Sequence, residues 1–330
     1  MSDLPLITGM GAALVDLFAD VSDAELEALG SPKASMSLVE PDASSAMQEK
    51  VRVHTHQPGG SAANTIAGIA ALGVRTGFVG KIADDHLGRV FAEDFSRLGV
   101  AFAPQAANGL PTGHCLVLVT PDAERTMHTV LGAAVTTSTD DLDADMLAQS
   151  GLFFAEGYIW DSPTAKQAFL SAAQSVRAQG GRVAFSLADG FCVERHHADF
   201  LDLLQNHVDI VLANEAEITA LCGGDTPEIV GPKLSALNLI GAVTHGAKGV
   251  HLYDGDSFAQ VAAQQIDDVV DLTGAGDQFA AGFLTGVHLG RDLEASAHMG
   301  VFAASEVIRH VGPRPQHDIG SALEAAGLGF

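Results

Sequence analysis

From residue 150 onward the chain alternates two kinds of segment, and this alternation restricts the fold more than any other feature of the sequence. Short apolar runs at 152–155, 182–187 and 209–213 are separated by longer stretches with helical spacing at 164–179, 196–205 and 215–221. Parallel strands need crossovers long enough to hold a helix, so this order predicts a parallel sheet with helices on both faces. Further apolar runs at 4–8, 76–80 and 242–244, each leading into glycine, are read as additional strands.

A different pattern occupies the N-terminal part. Residues 51–56 alternate in the manner of a two-sided strand, and 114–120 and 125–131 flank Pro121-Asp122-Ala123-Glu124, which reads as a hairpin turn. Residues 21–29 suit a short acidic helix and 31–49 a polar connection. Gly9-Met10-Gly11 invites a dinucleotide reading, but Leu14 stands where the third glycine belongs and no suitable helix follows. His54 and His56 share a strand face without a third ligand nearby, so no metal is assigned to them.

The chain has 330 residues, more than the ~150 of an average domain, yet a single α/β unit with a small appended sheet accommodates that length. Seventeen basic against forty-one acidic residues give a formal charge of −24, which opposes nucleic acid and anionic membranes as partners. Cys115, Cys192 and Cys222 are widely spaced, suggesting neither disulfides nor a thiolate metal site. The first eighteen residues lack a basic region and are interrupted by Asp3 and Asp16, so a cytoplasmic protein is expected.

Chemistry concentrates in Asp271-Leu272-Thr273-Gly274-Ala275-Gly276-Asp277, which runs directly into an apolar helical stretch. Gly274, Ala275 and Gly276 carry almost no side chain, so their N–H groups can approach an anion at the positive end of the helix. Asp277, on the first turn, would repel a bound phosphate unless it served to take a proton from an incoming hydroxyl. The combination points to phosphoryl transfer to an alcohol, although a capped helix after a tight turn gives the same pattern. A second constellation, Gly59-Gly60 with Asn64 one helical turn later, leaves space beside the main chain and offers a donor and an acceptor to a ligand.

These two motifs, in this order, resemble the paired signatures of the ribokinase-like (PfkB-type) carbohydrate and nucleoside kinases. The likeness extends over nearly the whole chain and is greatest to the adenosine-kinase branch. It implies a three-layer α/β sandwich with a central, mostly parallel sheet and a small β-sheet lid. Residues 1–330 would form one kinase domain, with lid segments at approximately 12–57 and 101–131. By the same resemblance Asp277 is the catalytic base, Gly274, Ala275 and Gly276 form the anion hole, and Arg125 approaches the transferred phosphate. Asp16, Gly59, Gly60 and Asn64 would hold substrate hydroxyls, and Tyr158 would stack on a base.

Asn214-Glu215-Ala216-Glu217 resembles the family's Asn-Xaa-Xaa-Glu, whose glutamate organises magnesium through water, so Glu217 is the expected metal-side residue. Thr244-His245-Gly246-Ala247-Lys248-Gly249 resembles its nucleotide-phosphate turn, which with Asn214 and Thr273 makes Thr244, Gly246 and Gly249 the expected ATP contacts. ATP and Mg2+ are the implied cofactors. A monovalent cation such as K+ is compatible with the family, but no residue here is decisive for it. Asp85 is read as a helix cap and Asp84 as its solvated neighbour.

The implied function is phosphorylation of adenosine to AMP. Ala12 departs from the asparagine usual in that branch, which keeps a sugar such as ribose or fructose, or another nucleoside, as the alternative. A nucleoside-binding protein without turnover is the reading from another class. Monomer and homodimer are both left open.

Overall fold

The computed structural model describes residues 4–107, 109–122 and 124–329. Among them the strands are β1 (Leu6–Met10), β2 (Leu14–Asp20), β3 (Met36–Leu38), β4 (Val53–Gly59), β5 (Thr76–Val79), β6 (Gly113–Val119), β7 (Arg125–Val130), β8 (Ser150–Glu156), β9 (Arg182–Ser186), β10 (Ile210–Asn214), β11 (Ile240–Thr244), β12 (Val250–Asp254) and β13 (Ser257–Val261). The α-helices are α1 (Asp23–Ala28), α2 (Pro41–Gln48), α3 (Ser61–Ala71), α4 (His86–Leu98), α5 (Ala144–Ala148), α6 (Pro163–Ala178), α7 (Gly190–Arg195), α8 (His197–His207), α9 (Glu215–Cys222), α10 (Pro227–Ala236), α11 (Ala275–His288), α12 (Leu293–Val307) and α13 (Ile319–Ala325).

The large sheet runs β13-β12-β11-β10-β9-β8-β1-β5 and is parallel from β11 to β5, with β12 and β13 added antiparallel. Alternation along each buried strand feeds two cores. Leu152 and Phe154 pack on the side of α3, α4, α11 and α12, whereas Phe153 and Ala155 face α6 to α10. Register brings Met10 opposite Ala155, Glu156 opposite Ser186, and Asn214 opposite Thr244. The C-terminal ends of these five strands, β1, β8, β9, β10 and β11, thus lie along one edge, where open α/β sheets bind ligands.

The second sheet runs β3-β7-β6-β2-β4. The hairpin expected around Pro121-Asp122 is present as β6 and β7. Two of its strands were not expected: β2 lies between β4 and β6, and β3, with α2, forms within the segment read as a polar connection. Asp16 therefore lies inside a strand, opposite Gln57 and Cys115, and does not merely terminate an apolar run. The signal was weak because Met36 and Leu38 remain exposed, so β3 lacks the apolar alternation that marks a half-buried strand. β12, β13 and α10 were likewise not anticipated.

Local chemistry accounts for the helix ends. Asp85 caps α4 by accepting from the Gly88 N–H at 2.7 Å and also holds the Thr112 hydroxyl at 2.7 Å, while Asp84 stays in water. α11 lies between α3 and α12, and glycine permits the close approach: a Cβ on Gly282 would stand 2.6 Å from the Met299 carbonyl carbon and 2.7 Å from the Gly300 Cα. Gly282→Val should therefore force the two helices apart and cost about 1–3 kcal/mol of stability. Urea denaturation checks this, and an unchanged midpoint would show that the pair has room to spare.

Candidate active site

Asp277 occupies the first turn of α11, facing the first turn of α3. Its Oδ1 accepts from the Ser61 hydroxyl at 2.7 Å and its Oδ2 from the Asn64 amide Nδ2 at 3.0 Å. Gly274 has φ 80°, a left-handed conformation that glycine adopts without penalty, and a side chain there would strike Pro313. Gly276 differs, since a Cβ on it would meet nothing within 4 Å. No neighbour requires glycine there, and the space stays open for a ligand beside the main chain. Among the described residues the N–H groups of Gly274, Gly276 and Asp277 donate to no protein acceptor. Free donors at a helix N-terminus are a ready anion site.

Carboxyls crowd this edge. Glu156, at the end of β8, is fully buried and accepts from the Ala12 N–H at 3.0 Å and from the Ala62 N–H at the start of α3. Burial pushes the carboxyls of Asp16, Glu156 and Glu217 up to about 7 and that of Asp277 up to about 6. The charge of Asp277 adds to the shift of the other three, whereas the hydrogen bonds from Asn64 and Ser61 hold Asp277 itself down. Asp16 also crowds Gly59, where a Cβ would stand 2.7 Å from its Oδ2. Gly60 has φ 89° and abuts the Ala12 carbonyl, so neither position of the pair accepts a side chain freely.

Further along the edge, Asn214 and Glu217 cap α9 reciprocally, with the Glu217 N–H on Asn214 Oδ1 at 2.9 Å and the Asn214 N–H on Glu217 Oε2 at 3.1 Å. Thr244, Gly246 and Gly249 form the turn from β11 to β12, closed by the His245 N–H on the Gly249 carbonyl at 2.8 Å. A recess of about 260 Å³ lies beside the start of the second sheet, lined by Gly11, Ala12, Leu131, Ala134, Val135 and Tyr158 among others. The Tyr158 ring is partly exposed there, and its hydroxyl is held in the protonated form by burial and by the charges of Asp189, Glu156 and Glu217.

A family model for the pfkB family carbohydrate kinase matches residues 25–318. The chain belongs to the pfkB family. It is accordingly a phosphotransferase that acts on a hydroxyl group. The fold is similar to that of a probable sugar kinase from Rhizobium etli, with TM-score 0.91 and 37% identity over 98% of this chain and 99% of the other. It is equally similar to an adenosine kinase from Sinorhizobium meliloti, with TM-score 0.90, 38% identity and the same coverage. In sequence it is 28% identical to the adenosine kinase of Saccharomyces cerevisiae over 272 residues, 77% of this chain and 78% of the relative.

Within this pfkB site, Arg125 at the start of β7 is ion-paired with Asp271 at 2.6 Å, hydrogen-bonds Thr273 and lies over the Phe18 ring. It thereby ties the second sheet to the glycine loop. Asp271 also accepts from the Gly312 N–H at 2.8 Å, and the buried Gln278 amide donates to the carbonyls of Asn64 and Pro313. The structure brings Asp277, Asn64, Arg125 and Thr273 into direct hydrogen-bonded clusters, while the Thr244 to Gly249 turn makes no hydrogen bond to them. Sequence reasoning missed Glu156, Ser61, Gln278 and Arg314. Only Glu156 left a signal, an isolated charge closing an apolar strand just before Gly157.

The raised acids have a consequence for stability. Asp16 titrates near 7 in the folded chain but near 3.8 unfolded, so folding works against its ionisation. Its contribution is most favourable below pH 3.8 and is lost as pH rises to about 7. Asp16→Asn should therefore melt above the wild type at pH 8, with the gap shrinking as pH falls from 7 toward 4. Melting curves across that range check it, and a pH-independent gap would contradict the assignment.

Proposed function

We propose that this pfkB kinase transfers the γ-phosphoryl group of ATP to a hydroxyl of adenosine. The observation that carries the phosphoryl-transfer reading is a single juxtaposition: a carboxylate on the first turn of α11, beside glycine N–H groups with no protein acceptor. In this reading Asp277 accepts the proton of the attacking hydroxyl, and the amides of Gly274 and Gly276 receive the charge of the transferring group; the Ala275 N–H, expected to join them, is engaged by the Leu272 carbonyl and takes part only on leaving it. Asp16 and Asn64 grip hydroxyls of the acceptor, while the space expected beside Gly59 and Gly60 is taken by the Asp16 carboxylate and the Ala12 carbonyl, so the two glycines act by letting those groups close in. Arg125 adds positive charge beside the loop, and closure of the second sheet as a lid excludes water.

The residues fit a hydrated divalent cation. Glu217 offers a carboxylate whose proton affinity is raised by burial and by the nearby charges of Asp189 and Asp277, a local excess of negative charge that such an ion relieves. Magnesium, when bound, neutralises charge on the nucleotide phosphates. Asn214, Thr244, Gly246, Gly249 and Thr273 are assigned to the nucleotide. The three cysteines are buried and free, which supports a reducing, cytoplasmic setting. No described helix is long and apolar enough to cross a membrane.

Adenosine is favoured by the Tyr158 recess, whose apolar lining suits a flat base, and by the likeness to the Sinorhizobium meliloti adenosine kinase. Ala12 and the likeness to the Rhizobium etli probable sugar kinase favour a free sugar as the second reading. Catalytic efficiency with ATP and magnesium across adenosine, other nucleosides, ribose and fructose separates the two, adenosine being expected to lead. Asp277→Asn should leave the fold and acceptor affinity intact while lowering kcat by about 10²–10⁴-fold. Wild-type turnover in that variant would remove Asp277 from the role of base, and no turnover by the wild type on any of these alcohols would support a binding protein.

A further inference from the structure

We propose that Arg314 is a positioning residue for phosphoryl transfer, orienting the Asn64 amide so that its nitrogen faces the Asp277 carboxylate. The proposal rests on the reading of Asp277 as the base. An asparagine amide has two ends of nearly the same size, so its orientation is decided by its partners. A guanidinium only donates, and an ionised carboxylate only accepts. Arg314 Nε meets Asn64 Oδ1 at 3.1 Å and Asn64 Nδ2 meets Asp277 Oδ2 at 3.0 Å, and these two contacts admit the same single orientation. With Arg314 absent, the carboxylate alone would oppose a flip that sets the amide oxygen against it.

Arg314 is itself held from several sides. Its Nη1 is ion-paired with Asp94 on α4, which also binds Arg97, and the guanidinium lies 5.4 Å from the Phe95 ring centroid and 6.0 Å from that of Phe91. The neighbouring Pro313 carbonyl accepts from Gln278. Packing stability alone does not call for such a residue, because a buried ion pair is commonly matched by apolar side chains of similar volume. Moreover, Nη2 is buried without a partner among the described residues, so the guanidinium is not fully satisfied where it sits. What the position gains is the Nε–H on Asn64. After both contacts the amide retains one N–H and one lone pair, enough to donate to and accept from a substrate hydroxyl.

Several groups bear on Asp277: Ser61 and Asn64 from α3, Arg314 from the segment after α12, Asp16 from β2, Glu156 from the end of β8 and Glu217 from α9. Arg314 is the positive charge among them, and it favours the ionised base. Its removal should move the acid limb of the pH–rate profile to higher pH.

The test compares wild type, Arg314→Gln, Arg314→Lys and Phe95→Leu with ATP, magnesium and adenosine, or ribose if adenosine is not turned over, correcting rates for the folded fraction. Arg314→Gln should lose about tenfold to a hundredfold in kcat, with a smaller change in KM and a raised acid limb. Arg314→Lys, which keeps the charge but cannot serve Asp94 and Asn64 together, should restore the acid limb more than kcat. Phe95→Leu disturbs the packing beneath the guanidinium and should lower stability without moving the acid limb. If Arg314→Gln is too unstable to assay, Arg314→Lys decides: wild-type kcat and pH profile after correction for folding would overturn the proposal. Asp277→Asn, run alongside, keeps the two failures apart. If it remains active, the base assignment has failed; if it is inactive while the Arg314 variants match wild type, the positioning role has failed.

Discussion

Two hydrogen bonds to one carboxylate, from Ser61 and Asn64 to Asp277, hold the N-termini of α3 and α11 face to face although more than two hundred residues separate them in the chain. Much of the molecule serves to make that meeting possible. The parallel strands deliver α3 and α11 to the same side of the sheet, and α12 backs α11 through glycine contacts that leave no slack. Both helix ends direct donors toward negative charge: the Ala62 N–H is taken by Glu156, while those of Gly276 and Asp277 stay open. The positive ends of two helix dipoles thereby help offset four carboxyls gathered at this edge, of which Glu156 and Glu217 are buried and Asp16 and Asp277 half-buried.

That concentration of acid opposes folding. Asp16, Glu156, Glu217 and Asp277 all hold their protons more tightly than in water, chiefly because burial disfavours the ionised form. The offset comes from elsewhere. Phe78, Phe91, Phe95 and Phe102 pack in edge-to-face and tilted pairs on one side of the sheet, and Trp160, Phe169, Phe185 and Phe200 edge to face on the other. The site is thus locally unfavourable and globally supported, the usual relation between chemistry and stability in a protein.

Features whose cause is local were legible in the sequence. The strand and helix alternation after residue 150, the Asp85 cap and the hairpin at Pro121-Asp122 each follow from a few adjacent residues, and each is present. The glycine motifs were legible because small residues beside a polar side chain mark places where backbone must meet something. Features whose cause is tertiary were not. β3 is exposed and short, so its pairing with β7 is decided by the neighbouring strand and not by its own pattern. Arg314 sits between two prolines in what reads as a terminal loop. Nothing adjacent in sequence reveals that Asp94, Phe95 and Asn64 surround it.

The backbone of residues 312–314 completes the glycine loop from behind: Gly312 donates to Asp271, Pro313 fits against Gly274 and accepts from Gln278, and Arg314 reaches Asn64. A chain emerging from the ribosome therefore carries both glycine motifs well before it carries the segment that shapes them. Until residue 314 is free of the exit tunnel, the loop lacks its backing and Asn64 its guide. Synthesis thus delivers every described strand of the sheets before the segment that shapes the loop.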